Sequence, residues 1–172
     1  MKMKIRQYPE IIIRVPAEEI WDYANDPTHW TASNPEEHLG FTFYPQDGRA
    51  RRDAGFYQKE RVAGIVADLH GRFLHFERPK VALWEGVAIY KILGGLIKLS
   101  VLEGGNIRLE KDSDNVRMSH DMFMEFPDTL FGRLALWIFK NVLHGEKALY
   151  NHGYRELAYF KKQLERTTAG YA

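Results

Sequence analysis

The chain has 172 residues, 24 lysines and arginines against 23 aspartates and glutamates, a formal net charge of +1, and 45% hydrophobic and 13% aromatic residues. Such a length suits one domain able to bury a core or wrap a cavity, and the near-balance of charge gives no field to gather nucleic acid. The absence of cysteine excludes disulfide scaffolds, thiolate nucleophiles, iron–sulfur clusters and cysteine zinc sites.

The N-terminus Met1-Lys2-Met3-Lys4-Ile5-Arg6 is basic, but the apolar run Ile11-Ile12-Ile13 is too short for a signal peptide. The most apolar tract, Leu134-Ala135-Leu136-Trp137-Ile138-Phe139, ends at Lys140, far short of the ~20 residues a membrane span needs. A soluble, cytoplasmic protein without stable membrane insertion is expected. Ten Phe, nine Tyr and four Trp exceed what a compact core of this size requires, since each ring buries roughly 150–250 Å².

Residues 8–15 read as a β-branched strand stopped at Pro16. Pro16, Glu18, Glu19, Ile20 and Tyr23 then mark a short helix, and Asn25-Asp26-Pro27 and Ser33-Asn34-Pro35 each start a further short helix or turn. Residues 41–44 form a brief strand ended by Pro45-Gln46-Asp47-Gly48. From Gly55 the pattern is strand after strand, at 56–67, 72–77, 81–93, 96–102, 107–111 and 116–126. Turn signals fall at 68–71, 78–80, Gly94-Gly95, Gly104-Gly105 and 112–115, and connections this short predict an antiparallel meander. After Pro127 the apolar residues recur at helical spacing to Leu164, predicting a long C-terminal helix with a kink or break near Gly145. The fold class is α+β, with that helix covering one face of the sheet.

This order of elements resembles the helix-grip fold of the START/Bet v 1-like (SRPBCC) superfamily, in its polyketide cyclase/dehydrase-like branch. The likeness rests on Ile11-Ile12-Ile13-Arg14-Val15-Pro16-Ala17-Glu18-Glu19-Ile20-Trp21-Asp22-Tyr23, on Asp26-Pro27-Thr28-His29-Trp30, on Phe76-Glu77-Arg78-Pro79-Lys80-Val81-Ala82-Leu83-Trp84-Glu85-Gly86, on Gly104-Gly105-Asn106-Ile107-Arg108-Leu109-Glu110, and on the tail Leu157 to Glu165. It implies a curved antiparallel sheet of about seven strands gripping the C-terminal helix, two short helices after the first strand, and an internal hydrophobic cavity within one ligand-binding domain over residues 1–172. A fold of this kind hosts many activities, so function must come from the site.

Strict alternation over 116–126 puts Met118, His120, Met122, Met124 and Phe126 on one face, toward the helix. Three methionines make an adaptable wall, suited to a ligand and equally to plain core filling. His120, the one ionisable group on that face, is either a core histidine bonded to a neighbour or an acid–base group. On 81–93 the face of Ala82, Trp84, Gly86, Ala88, Tyr90 and Ile92 mixes small and large residues, so Trp84 and Tyr90 are preferred as cavity lining over the opposite face. On the helix, Leu134, Ile138, Val142 and Leu149 form the expected inward stripe, with Trp137 an aromatic neighbour. Leu136, Trp137, Phe139 and Leu143 make its first half apolar nearly all round, so a homodimer interface is a further outlet.

No metal motif is legible: His144 and His152 are eight residues apart, and at 3.6 residues per turn they diverge by about 80°, so neither metal nor nucleotide cofactor is expected. Gly94-Gly95 and Gly104-Gly105 sit between strands and read as turns, and no nucleophile elbow occurs. Three functional readings stand, the third being an interaction or stress-response module that uses the apolar first half of the helix. The first is a hydrophobic or amphipathic small-molecule ligand (lipid-, aromatic- or polyketide-like) held by Trp84, Tyr90, Met118, His120, Met122, Met124, Phe126, Leu134, Trp137, Ile138, Val142 and Leu149. The second is a cyclase, aromatase or dehydratase with His120 or Tyr90 moving a proton.

Overall fold

A computed structural model describes residues 3–45 and 47–169, the side chains of 167–169 excepted; Met1 and Lys2 of the basic N-terminus and Gln46 of the expected turn lie outside the described residues. The strands are β1 (Lys4–Gln7), β2 (Glu10–Ile13), β3 (His38–Phe43), β4 (Gly55–Val62), β5 (Ile65–Glu77), β6 (Val81–Ile92), β7 (Ile97–Asp112) and β8 (Asn115–Glu125). The helices are α1 (Ala17–Ala24) and α2 (Pro27–Ser33) between β2 and β3, then α3 (Leu130–Asn141) and α4 (Gly145–Ala169) at the end. The eight strands make one curved antiparallel sheet in the order β1-β8-β7-β6-β5-β4-β3, with β2 also on β8.

The expected strand over 8–15 is split. Pro9 has no N–H to give a ladder, so the chain steps out between β1 and β2, while the Pro9 carbonyl accepts from the His120 N–H at 3.0 Å and keeps both pieces on β8. In α2 the Asp26 side chain accepts from the Thr28 N–H at 2.8 Å, the N-cap expected before Pro27.

Two expected turns proved to be strand interior. The chain reverses at Ala63-Gly64, both with positive φ (49° and 81°), the signature of a type I′ hairpin that an Ala-Gly pair announces poorly. β5 then runs straight through 68–71, where Gly71 is needed for contact: a Cβ there would sit 2.4 Å from the Phe56 ring. β7 likewise runs through Gly104-Gly105, and a Cβ on Gly105 would lie 1.8 Å from the Asp121 carbonyl oxygen of β8. These glycines permit backbone and rings to approach across the curved sheet.

The C-terminal helix is broken at 142–144, where His144 takes a φ of 51° and α4 restarts at Gly145. The break resets the helical phase, and this corrects the expected stripe. Gly132, Leu136 and Phe139 are buried, whereas Trp137 (57% exposed) and Val142 (56%) face outward, and Leu134 and Ile138 are partly exposed beside an apolar hollow under the helix. α4 lies in the grip of the sheet with Leu149, Leu157, Phe160 and Leu164 buried. Each such side chain contributes about 1.5–3 kcal/mol. His152 and Glu156 occupy the same buried face. Among the described residues no helix is long and apolar enough to cross a membrane.

Candidate functional site: an aromatic cavity backed by a buried polar cluster

Between the concave sheet, the two short helices and α4 lies a cavity of about 70 Å³ walled by Trp21, Trp30, Phe41, Phe43, Phe56, Phe73, Phe76 and Trp84, with Asn25, Gln58, His120 and Glu156 as its polar lining. The rings hold one another edge to face: Trp21 on Phe76 at 5.0 Å, Phe41 on Phe43 at 5.1 Å, Phe56 on Trp84 at 5.8 Å and Trp30 on Phe160 at 4.7 Å. Such pairs add roughly 0.5–1.5 kcal/mol each beyond their buried area and stiffen the wall. Trp30 is further fixed by donating its indole N–H to the Ala24 carbonyl at 2.7 Å. A site of about 150 Å³ is enough for benzene, so an occupant larger than a few atoms must extend through the mouth or displace a ring.

His120 is positioned by β8 and oriented by α4. Its Nδ1 donates to Glu156 Oε2 at 2.7 Å, and its ring meets Trp30 at 5.9 Å. Its Nε2 is buried without a hydrogen-bond partner. A buried polar atom left unpaired costs about 1–3 kcal/mol, and here it belongs to a residue lining the cavity, so a ligand hydroxyl, which can donate to it, is its natural complement.

Behind His120 the polar side chains form a continuous cluster. Glu156 Oε1 lies 3.0 Å from His38 Nε2 and 3.3 Å from His152 Nε2. His152 Nδ1 donates to Glu37 Oε2 at 2.8 Å, and Glu37 also accepts from Asn34 and from Arg155 at the rim. Burial works against charge on Glu156, but His120 and His152 outweigh it and hold this carboxyl well below its usual range. Burial likewise opposes the His152 imidazolium, yet Glu156, Glu37 and Glu60 raise its pKa well above the ordinary histidine value. Glu103 shows the opposite outcome: burial and the neighbouring Glu60 push its pKa well up, and it accepts the Tyr90 hydroxyl at 2.5 Å. Burial also raises Tyr90, with Glu103 adding to it.

The residues singled out from sequence are distributed over three hollows. Trp84 and His120 line the aromatic cavity. Trp84, Tyr90, His120, Met122, Met124 and Leu149 border a smaller one of about 40 Å³. Tyr90, Met124, Phe126, Leu134 and Ile138 line an apolar hollow of about 280 Å³ under α3. Met118 is fully buried and lines none of the three, while Trp137 and Val142 point to solvent. Sequence reasoning missed most of the aromatic wall, since Trp21 and Trp30 come from the short helices and Phe41, Phe43, Phe56, Phe73 and Phe76 from β3, β4 and β5. It also missed His38, Glu60, His152 and Glu156. Polar residues in the apolar phase of α4 were the available signal.

A curved eight-stranded antiparallel sheet closed on a long C-terminal helix, with an internal cavity, is the helix-grip fold. The ZhuI aromatase/cyclase from Streptomyces sp. R1128 has a similar structure, with a TM-score of 0.71 at 11% identity over 96% of each chain. The di-domain aromatase/cyclase BexL of the BE-7585A biosynthetic pathway aligns at a TM-score of 0.65 and 13% identity, over 95% of this chain and 50% of its own. The hypothetical protein jhp0584 from Helicobacter pylori aligns at 0.61 and 12% identity, over 92% and 87%. No protein-family model matches the sequence and no curated protein matches it. At these identities the likeness establishes the fold.

Proposed function

We propose that the protein binds a small hydrophobic molecule carrying an aromatic or conjugated ring and at least one hydroxyl group, with the ring among the cavity aromatics and the hydroxyl on His120 Nε2. The observation that carries this reading is the unpaired, buried Nε2 of His120, a residue that lines a cavity whose walls are mainly aromatic. Apolar walls with a few placed polar groups are what ligand pockets use to combine affinity with orientation. A second reading, proton transfer on such a ligand in the manner of a cyclase or dehydratase, is favoured by the Glu156–His120 pair: a carboxylate on Nδ1 orients the imidazole and leaves Nε2 to exchange a proton with the occupant. Tyr90 is spoken for by Glu103 and is assigned no part in it. The aromatase/cyclase names of the structural neighbours are consistent with both readings.

Three of the four tryptophans (Trp21, Trp30 and Trp84) line the cavity, so intrinsic fluorescence reports on its occupant. Titration with 2-naphthol should give saturable quenching, and His120→Ala should weaken 2-naphthol about tenfold while leaving naphthalene within twofold. The tenfold loss corresponds to about one hydrogen bond. Absence of saturable quenching with either probe would overturn the binding reading. Equal affinity of wild type and His120→Ala for 2-naphthol would remove His120 from it.

A further inference from the structure

On the far side of Glu156 from His120, the start of β3, the middle of β4 and the buried face of α4 bring His38, Glu60 and His152 together, each less than 5% exposed. Their nearest ligand-type atoms all lie within 4.8 Å of one another. His38 Nε2 and His152 Nε2 face each other at 3.1 Å. Glu60 Oε2 is 3.9 Å from His152 Nε2, and Glu156 Oε1 is within 3.3 Å of both nitrogens.

The hydrogen bonds on the other ring nitrogens decide what this arrangement needs. His38 Nδ1 lies on the Trp30 carbonyl, which can only accept, so that nitrogen carries the proton. His152 Nδ1 lies on the Glu37 carboxylate at 2.8 Å and carries its proton as well. In their neutral forms both imidazoles therefore aim bare Nε2 lone pairs at each other and at two carboxylates. With both rings neutral, four electron-pair donors converge with no hydrogen between them, a repulsion that either a second proton on His152 or a metal ion would relieve. One proton on one imidazole would answer only part of this demand, because two buried acids, Glu60 and Glu156, both face the cluster.

A backbone carbonyl or carboxylate on Nδ1, with Nε2 free to ligate, is how proteins orient metal-binding histidines. The 3.1 Å nitrogen separation is close to the ~3.3 Å edge of a tetrahedral site with 2.0–2.1 Å bonds. We propose that this cluster is a divalent transition-metal site of the zinc type, with Nε2 of His38, Nε2 of His152 and a carboxylate oxygen of Glu60 as ligands and Glu156 joining the ion to His120. Nitrogen and carboxylate donors at this spacing suit Zn²⁺ or Co²⁺ and are wrong in number and hardness for Ca²⁺ or Mg²⁺. The small cavity bordered by Glu60, His152 and Glu156 leaves room beside the cluster for a fourth ligand such as water. The site does not depend on the cavity ligand, so it stands or falls apart from the binding reading above.

The test uses untagged full-length protein, analysed first for bound metal by elemental mass spectrometry, then treated with chelator and titrated with Co²⁺ and Zn²⁺. The expected result is one equivalent of Co²⁺ bound with the intense visible bands of a tetrahedral N/O site, bleached by Zn²⁺, and a rise in thermal midpoint with added Zn²⁺. His38→Gln, His152→Gln and Glu60→Gln should each lower the affinity at least tenfold, while His144→Gln, at the exposed helix break, should not change it. If a ligand variant fails to fold, the wild-type Co²⁺ spectrum and stoichiometry decide alone. No metal on isolation together with no saturable Co²⁺ or Zn²⁺ uptake, or uptake abolished by His144→Gln and unaffected by the other three, would overturn the proposal and leave a proton at the centre of the cluster.

Discussion

Replacing Glu156 with leucine removes the one carboxylate that touches three histidines. In the structure it accepts from His120 Nδ1 at 2.7 Å and lies 3.0 Å from His38 Nε2 and 3.3 Å from His152 Nε2, all buried. The His152 imidazolium keeps Glu37 but loses its strongest counter-charge, and the His120 Nδ1–H is left without an acceptor in addition to the Nε2 that already lacks one. Breaking a buried ion pair by deleting one partner costs about 3–5 kcal/mol. At roughly 2–4 °C per kcal/mol for a chain of this length, the thermal midpoint should fall by about 6–20 °C. Glu156→Gln keeps the shape and one acceptor and should cost about half as much. Urea unfolding of chelator-treated wild type and both variants at pH 7, with equal m-values, measures the difference. If Glu156→Leu is as stable as wild type, the cluster is not a set of charges held in mutual register and the reasoning fails.

Gly105→Ala should destabilise by at least 1–3 kcal/mol, because the new Cβ meets backbone at 1.8 Å, whereas Gly40→Ala, with nothing within 4 Å, should be near neutral; paired denaturation curves give both. Glu103 has its folded pKa well above the unfolded value, so it weakens the fold as pH rises through the window between the two. Glu103→Gln should therefore flatten the decline of the thermal midpoint between pH 5 and pH 8, and an unchanged slope would count against a protonated Glu103. Trp137 lies outside the aromatic cavity and is half exposed, so Trp137→Phe should leave ligand-induced quenching intact.

The fold was legible because its signals are local. The β-branched run before Pro16, the Asp26-Pro27 cap and the alternation over 116–126 each act within a few residues, and β8 buries the Met118, His120, Met122 and Met124 face as the alternation predicts. Where the reading failed, a residue served long-range contact instead of local conformation. Gly71, Gly104 and Gly105 resemble turn residues but are glycine because rings or backbone of adjacent strands come close. The Leu134, Ile138, Val142 stripe assumed one continuous helix, and the positive φ at His144 shifts the phase so that Leu136 and Phe139 are the buried residues, Leu134 and Ile138 only border the hollow under α3, and Val142 faces solvent. The polar cluster was hidden for a related reason: His38 and His152 are 114 residues apart, and only tertiary structure joins them. The spacing of Leu149, His152, Glu156 and Phe160 on one helical face was its single trace. It places an ionisable pair where solvent is excluded.

In the proposed complex, His120 Nε2 meets the hydroxyl of an aromatic ligand inside the cavity. Nitrogen-detected NMR of ¹⁵N-histidine-labelled protein during titration with 2-naphthol tests it atom by atom. The Nε2 resonance of His120, assigned by its loss in His120→Ala, should shift with saturation while its Nδ1 resonance stays nearly fixed on Glu156. Saturable binding that leaves His120 Nε2 unmoved would contradict it.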